Sequence, residues 1–345
     1  WNITGSGFHF GRHGLDQEES GVHLPSDSLF AALTARLAAL DGPQAVDAWS
    51  QAFVNSPPPF VLTSAFPRAG GVRFFPTPLR SAASKKPEED RPPHKQIKRV
   101  RFVSEGVFRA LLNGDSLPDL YDADGCLQGG QALLLAAEKS LLPAGIHPKD
   151  AFWAVEQRPR VTIGREAQNS NLYFTGRAQF AEDCGLWFAV RFTDAAGPYR
   201  ELLARLLAEL GDAGLGGERA SGFGQAKIDP AGTLDLPDAA DRPWVALSRY
   251  HPRPQESAAL LDARAAFSVE TVGGWVESPG KPAERRRGLR MLAEGSVLGP
   301  LPGEIPGQMA DVQPDYGGNR PLGHPVWRNG QALAVGFAPG ALEEN

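Results

Sequence analysis

Cysteine is almost missing from this chain, with only Cys126 and Cys184 in 345 residues. Two thiols build neither a disulfide framework nor a cysteine-rich metal site. Long apolar runs are missing too: none approaches the roughly 20 residues of a membrane-spanning helix. The opening residues do not read as a secretory signal, so a reducing, cytoplasmic setting with no membrane partner is the expectation. The charge balance lacks a positive surplus, at a net −5. That excludes a chain coated with basic residues, but not a local basic groove, because anion binding follows local potential. No His-Glu-x-x-His, Cys/His cluster or carboxylate cluster suggests a metal site, and no motif calls for a cofactor.

What is present is enough to build cores: 42% of residues are hydrophobic and 22% charged. The length fits about two domains of 100–200 residues. Thirty-nine glycines and 30 prolines predict many loops and short strands. Glycine is densest in residues 211–224, where it takes six of fourteen positions. A helix-like run, Leu202 to Leu210, feeds this loop, and a strand-like run, Ala226 to Ile228, leaves it. Walker A and Rossmann sites run strand–loop–helix and place phosphate on a helix N-terminus. Here the order is reversed, so any anion affinity must come from loop N–H groups and from Arg219 and Ser221. The same residues also fit a plain helix C-cap followed by tight turns.

Along the chain, residues 1–10 read as a strand, followed by a loop with Arg12 and His13. Ser26 or Asp27 suits a helix N-cap, and Leu29, Phe30, Leu33, Leu37 and Leu40 form the apolar stripe. A second helix over about 43–53 and a strand from Phe60 to Phe66 follow. Residues 72–104 read as a projecting basic arm. Its return, Lys95 to Val103, is expected to be extended, with Lys98, Arg99 and Arg101 on both faces and Phe74, Phe75 and Phe102 interleaved, a composition suited to an RNA strand. Ser104 caps a helix from Glu105 to Leu112. Gln131 to Leu142 is expected to be helical. Strands are expected at 161–163, 171–174, 178–180 and 185–192, the last two pairing across Ala181–Cys184. A helix from Tyr199 leads to the glycine loop.

With 67–160 set aside as an insertion, the order strand–helix–strand–strand–helix–strand predicts an α+β, ferredoxin-like unit over 1–228. Residues 229–243 read as a linker. In 244–345, strands at 244–247, 265–276 (bent at Gly273-Gly274) and 332–337 with a helix at 255–263 are compatible with a second such domain. Arg285, Arg286, Arg287 and Arg290 form a candidate anion patch or an ordinary surface cluster. His9, His13 and His23 could serve metal-free RNA cleavage, but no acid/base partner stands at a suggestive spacing, and no catalytic residue is assigned.

Residues 214–224, Gly-Leu-Gly-Gly-Glu-Arg-Ala-Ser-Gly-Phe-Gly, resemble the glycine-rich loop of the repeat-associated mysterious protein (RAMP) superfamily of CRISPR systems. Residues 26–33 resemble the first-helix signature of the fourth subunit of the type III-A Csm effector. Residues 75–79 with 98–103 resemble that subunit's thumb, and 246–252 and 292–297 its C-terminal signatures. The resemblance implies two ferredoxin-like domains, an inserted thumb and a non-enzymatic role. It further implies binding of the 5′ handle of CRISPR RNA, contact with the large polymerase-like subunit and a RAMP backbone subunit, and contact with target RNA through the guide. The RNA site is then expected at Gly214, Gly216, Gly217, Arg219, Ser221, Gly222, Phe223 and Gly224, with Lys98, Arg99, Arg101, Arg12, His13, Arg165, Arg285, Arg286 and Arg287. The alternatives are a CRISPR RNA-processing endoribonuclease of the same superfamily, the equivalent type III-B subunit, and a protein–protein scaffold that does not touch RNA.

Overall fold

The computed structural model describes residues 1–342 apart from 6, 13–15, 56, 164–169, 277, 279, 302 and 304. The first strand, β1 (Asn2–Gly5), is followed by the helices α1 (Ser26–Asp41) and α2 (Pro43–Val54). Next come β2 (Phe66–Ala69), β3 (Val72–Pro76), β4 (Phe102–Ser104), α3 (Glu105–Leu112), β5 (Cys126–Leu127) and β6 (Ala132–Leu133). A long hairpin, β7 (Trp153–Ile163) and β8 (Ser170–Phe180), precedes β9 (Cys184–Trp187), α4 (Tyr199–Ala213) and β10 (Ala226–Asp229). The C-terminal part contributes β11 (Trp244–Ala246), β12 (Val269–Val272), β13 (Leu289–Leu292), β14 (Val297–Leu298) and β15 (Ala334–Gly336).

The main sheet runs β10-β1-β9-β2-β3-β4-β6-β5, a mixed sheet in an α+β fold. Each of its first four strands is antiparallel to the strand beside it. The apolar stripe of α1 buries Leu29, Phe30, Leu33 and Leu37 against Leu203, Leu206, Leu207 and Leu210 of α4 and Ile3 of β1. The stripe stops there, since Leu40 is exposed. Ser104 caps α3 as its sequence predicts, accepting from the Val107 N–H at 3.4 Å. On another core, Phe75, Phe108 and Trp187 share one buried cluster with Val245, Leu247, Val335 and Phe337, so the chain on either side of residues 229–243 is packed together.

Several expectations need correction. Ser26 and Asp27 do not cap α1: Pro25 takes that position, and both side chains are buried and turned elsewhere. The basic arm does not return as a strand. Pro93 opens a helical turn over His94–Ile97, accepting from the N–H groups of Gln96 and Ile97; proline's fixed φ suits a helix start. Only Phe102–Ser104 is extended, paired with β3 inside the main sheet. Gln131–Leu142 is not an α-helix. Ala132 and Leu133 join β4 in parallel, and a 3₁₀ segment covers Ala136–Leu141, because burying Leu133 and Leu134 in the sheet core overrides helical propensity. Residues 178–180 pair with 153–155 rather than with 185–192, in a ladder of eleven residue pairs that reaches about 37 Å at 3.4 Å per residue. The expected strand at 60–66 breaks into Phe60–Leu62 and β2. The one at 265–276 breaks at Gly273-Gly274 into β12 and Trp275–Val276. The helix expected at 255–263 is reduced to Pro254–Glu256 and Ser257–Leu260. The described strands of the C-terminal part lie in small separate sheets, one of three strands in the order β14-β11-β15.

Candidate nucleic-acid interface

The glycine loop is built by close backbone approach. The Gly214 N–H donates to Leu210 and ends α4 at φ 86°. The Leu215 N–H donates to Gly224, and the Gly224 N–H donates to Gly7. The Gly217 N–H donates to the His9 carbonyl at 2.9 Å. Gly216 has φ 87°, and a Cβ there would collide with the His9 carbonyl; only glycine meets both conditions without strain. Residues 7–9 are in turn joined to β8. Phe8 and Ala178 exchange N–H···O bonds of 2.8 and 2.7 Å, and His9 Nδ1 donates to the Gly176 carbonyl at 2.7 Å. Loop, residues 7–9 and hairpin thus form three stacked backbone layers.

This arrangement revises the expected phosphate cradle. The N–H groups of Gly217, Gly222 and Gly224 all donate to protein carbonyls. What the loop offers outward is its exposed rim: Gly216, Gly217, Arg219, Ser221 and Gly222. Ser221 Oγ donates to Glu218 at 3.3 Å. Phe223 is 6% exposed and meets two guanidinium groups, with Arg160 at 5.1 Å and Arg177 at 5.2 Å from its ring centroid. Cations over an aromatic face are attracted by its quadrupole, so Phe223 clamps the hairpin onto the loop. Arg160 and Arg177 were not singled out in the sequence. Alternation does put Glu156, Arg158 and Arg160 on one face of β7, but Pro159 obscures the strand.

Lys98, Arg99 and Arg101 are exposed, near the turn at 128–131, where Arg99 packs over Gly130. Arg101 shares a cleft with Trp153, Val155 and Gln157 at the base of β7, whereas the glycine loop meets the hairpin through Arg160 and Arg177. Arg12 lies in a two-residue strand, Gly11–Arg12; His13 and Arg165 lie outside the described residues. Arg286 and Arg287 serve the C-terminal sheets, donating to the Gly273 and Asp311 carbonyls, while Arg285 and Arg290 are exposed. His9 is 7% exposed and engaged as described. His23 Nε2 stands 3.8 Å from Glu294.

A second feature joins the two ends of the chain. Ser26 Oγ accepts from the Arg249 N–H at 2.9 Å, and the Ser26 N–H donates to Ser64 Oγ at 2.8 Å. Ser64 Oγ and Arg249 Nε both donate to Glu294, at 2.5 and 3.2 Å. Arg249 also pairs with Glu270 at 2.5 Å, and Arg328 with Asp27 at 3.2 Å. Burial raises the Glu294 carboxyl, but Arg249, His23 and Ser64 outweigh it and hold the group well below the usual carboxylate range. Asp27 goes the other way: burial pushes it up despite Arg328 and Arg249. Nearby, Gly295 (φ 84°) accepts from the Leu79 N–H. Segments 26–30, 75–79, 246–252 and 292–297 therefore converge on one buried ionic junction.

Among the described residues no cluster of His, Cys, Asp and Glu could hold a metal ion, and no helix is long and apolar enough to cross a membrane. In fold, the chain is similar to subunits of type III CRISPR interference complexes. A chain of the crystal structure of the Csm3–Csm4 subcomplex in the type III-A complex matches with a TM-score of 0.64 at 17% identity, covering 98% of this chain and 100% of that one. A chain of the Csm1–Csm4 cassette with pppApA matches at 0.53 and 18%, covering 98% of each. In sequence, residues 240–337 match the CRISPR Csm4 C-terminal domain. The Csm4 protein of Mycobacterium tuberculosis (strain ATCC 25618 / H37Rv) is 29% identical over 323 residues, covering 91% of this chain and 90% of the relative. That of Thermococcus onnurineus (strain NA1) is 24% identical over 282 residues, covering 81% and 82%. In sequence and in fold, the chain is thus similar to Csm4 proteins over about nine-tenths of its length or more.

Proposed function

We propose that this chain anchors the repeat-derived 5′ handle of a CRISPR RNA within a Csm complex, without catalysing a reaction, and bridges the large polymerase-like subunit to the RAMP backbone subunits. The observation that carries the RNA reading is the exposed rim of the glycine loop, with Arg219 and Ser221 on it and Arg160 and Arg177 beside it. Guanidinium groups match phosphate oxygens in planar, bidentate geometry. In this reading the glycines serve the RNA indirectly, by holding the rim rigid. Lys98, Arg99 and Arg101 guide the strand beyond the loop, and Arg285 and Arg290 contribute to a basic surface for RNA or an acidic neighbour. The bridging reading is supported by relatives solved as Csm3–Csm4 and Csm1–Csm4 assemblies.

The unit over 1–228 is read as ferredoxin-like. Its six elements are β1, α1, β2, β9, α4 and β10, and its four strands lie in the order fourth, first, third, second. The test is a reconstituted Csm complex carrying Arg219→Glu. CRISPR RNA retention is expected to fall while circular dichroism of the subunit stays unchanged. Loss of one phosphate contact should flatten the log–log salt dependence by about 0.7. Retention and slope equal to wild type would overturn the loop's role.

A further inference from the structure

A cleft of about 530 Å³ opens between the segment 19–23, the turn at 128–131 and the base of β7. Its size falls within the roughly 300–1,000 Å³ of small-ligand clefts. Its aromatic walls are fixed. Trp153 packs edge-on against Phe152 at 4.4 Å and Phe102 at 5.8 Å. The His23 ring lies nearly parallel to Phe66 at 6.4 Å, with its Nε2 toward Glu294 of the ionic junction. Gln128 pins the base of the hairpin: its Oε1 accepts from the Phe152 and Trp153 N–H groups, and its Nε2 donates to the Trp153 carbonyl. Walls held in this way need no reordering when a ligand arrives.

Two other glutamines lining the cleft, Gln131 and Gln157, differ from Gln128. Among the described residues, no hydrogen bond engages either side-chain amide. An amide presents a carbonyl acceptor beside an NH₂ donor, the combination that reads the edge of a nucleobase carrying both. Bases of single-stranded RNA are splayed out, stacked on aromatic rings and bonded along their edges. Arg101 also lines the cleft, its guanidinium 5.9 Å from the Phe102 ring centroid, and the exposed Lys98 and Arg99 precede it.

We infer that this cleft takes one unstacked nucleotide of a single-stranded RNA, its base edge met by Gln131 and Gln157 and its phosphate by Arg101. The inference rests on the RNA-binding reading above and adds base selectivity at a place outside the glycine loop. A peptide from a neighbouring subunit is the competing occupant. Glu19 also lines the cleft beside Arg101, so its charge is mixed; the two unengaged amides and the neighbouring Lys98 and Arg99 favour RNA.

The test titrates the full chain with fluorescein-labelled oligo-A, oligo-C and oligo-U RNAs of about twelve nucleotides, by anisotropy at one salt concentration. Wild type is expected to prefer one of the three by at least about fivefold, near the low end for an amide–base pair. The Gln131→Ala/Gln157→Ala variant is expected to bind all three within about twofold of one another, at the affinity wild type has for its weakest. Gln157→Ala alone changes only an exposed side chain. It carries the test with at least half the loss of preference if the double variant fails to fold. Equal wild-type affinities, as a peptide pocket predicts, or a preference that survives the substitutions would overturn the inference while leaving RNA binding intact. A wild type that binds none of the three contradicts the RNA reading itself, and the cleft's role with it.

Discussion

The glycine loop and the ionic junction hold the fold by opposite means. In the loop, missing side chains let backbones meet: Gly216 against His9, Gly224 against Gly7, with Phe223 in contact with two arginines. In the junction, charged side chains from positions as far apart as Asp27 and Arg328 are buried together. The loop leaves an exposed rim, whereas the side chains of Asp27, Arg249, Glu294 and Arg328 in the junction are buried. The two regions therefore do different work: the loop ties together neighbouring backbones, and the junction welds the two ends of the chain.

The sharpest way to break the comparison is at the junction. Arg249→Ala leaves Glu294 buried without its main counter-charge. It is expected to cost about 3–5 kcal/mol, measured by denaturant unfolding. A change below about 1 kcal/mol would make the junction peripheral to stability. The loop comes next. Gly216→Val meets both a positive φ and the His9 carbonyl, for a loss of at least about 1–3 kcal/mol. Gly222→Ala has a positive φ (82°) but open space around it, so it should cost less than Gly216→Val. Equal losses at the two positions would remove close approach as the reason for glycine.

A smaller effect, about 1 kcal/mol, is expected for Phe223→Leu, with faster amide exchange along β7 and β8. Phe223→Tyr, which keeps the ring, should restore slow exchange. If leucine protects the hairpin as well as tyrosine does, packing rather than the arginine–ring contact is the clamp. The pH dependence sharpens the junction itself, since its two buried carboxylates, Glu294 and Asp27, are shifted in opposite directions. Glu294 is held below its unfolded value of about 4.3, so its stabilisation is full above that value and is lost as pH falls toward the folded one. Glu294→Gln should therefore fall further behind wild type at pH 7 than at pH 4. Asp27 is raised above its unfolded value, so its contribution is full at low pH and lost as pH rises through the folded value. Asp27→Asn should gain on wild type between pH 4 and 8. Parallel trends in the two variants would contradict the assigned directions, which stability curves across pH would read.

Local signals carried much of this fold. The stripe in α1, the cap at Ser104, the helix from Tyr199 and the glycine loop itself are all legible from spacing and residue type. The hairpin was legible only in part, because Pro159 interrupts a strand whose partner lies on the far side of a turn. The arm at 95–103 went the other way: basic residues on both faces suggested an extended, projecting arm, but Pro93 starts a helical turn and the sheet takes only Phe102–Ser104. The junction was the least legible. Ser26 and Asp27 look like capping residues, and nothing local ties them to Arg249 or Arg328, more than 200 residues away. Arg160 and Arg177 escaped for the same reason: their partner, Phe223, is assigned by tertiary structure alone.

The most direct measurement is photo-crosslinking of a 4-thiouridine-bearing CRISPR RNA handle to the intact subunit in a reconstituted Csm complex, with the joined peptides mapped by mass spectrometry. Crosslinks concentrated in residues 215–224 and 98–101 are the predicted result. Crosslinks confined to other surfaces, with both of these segments unmodified, would contradict the anchoring of RNA on the glycine-loop platform.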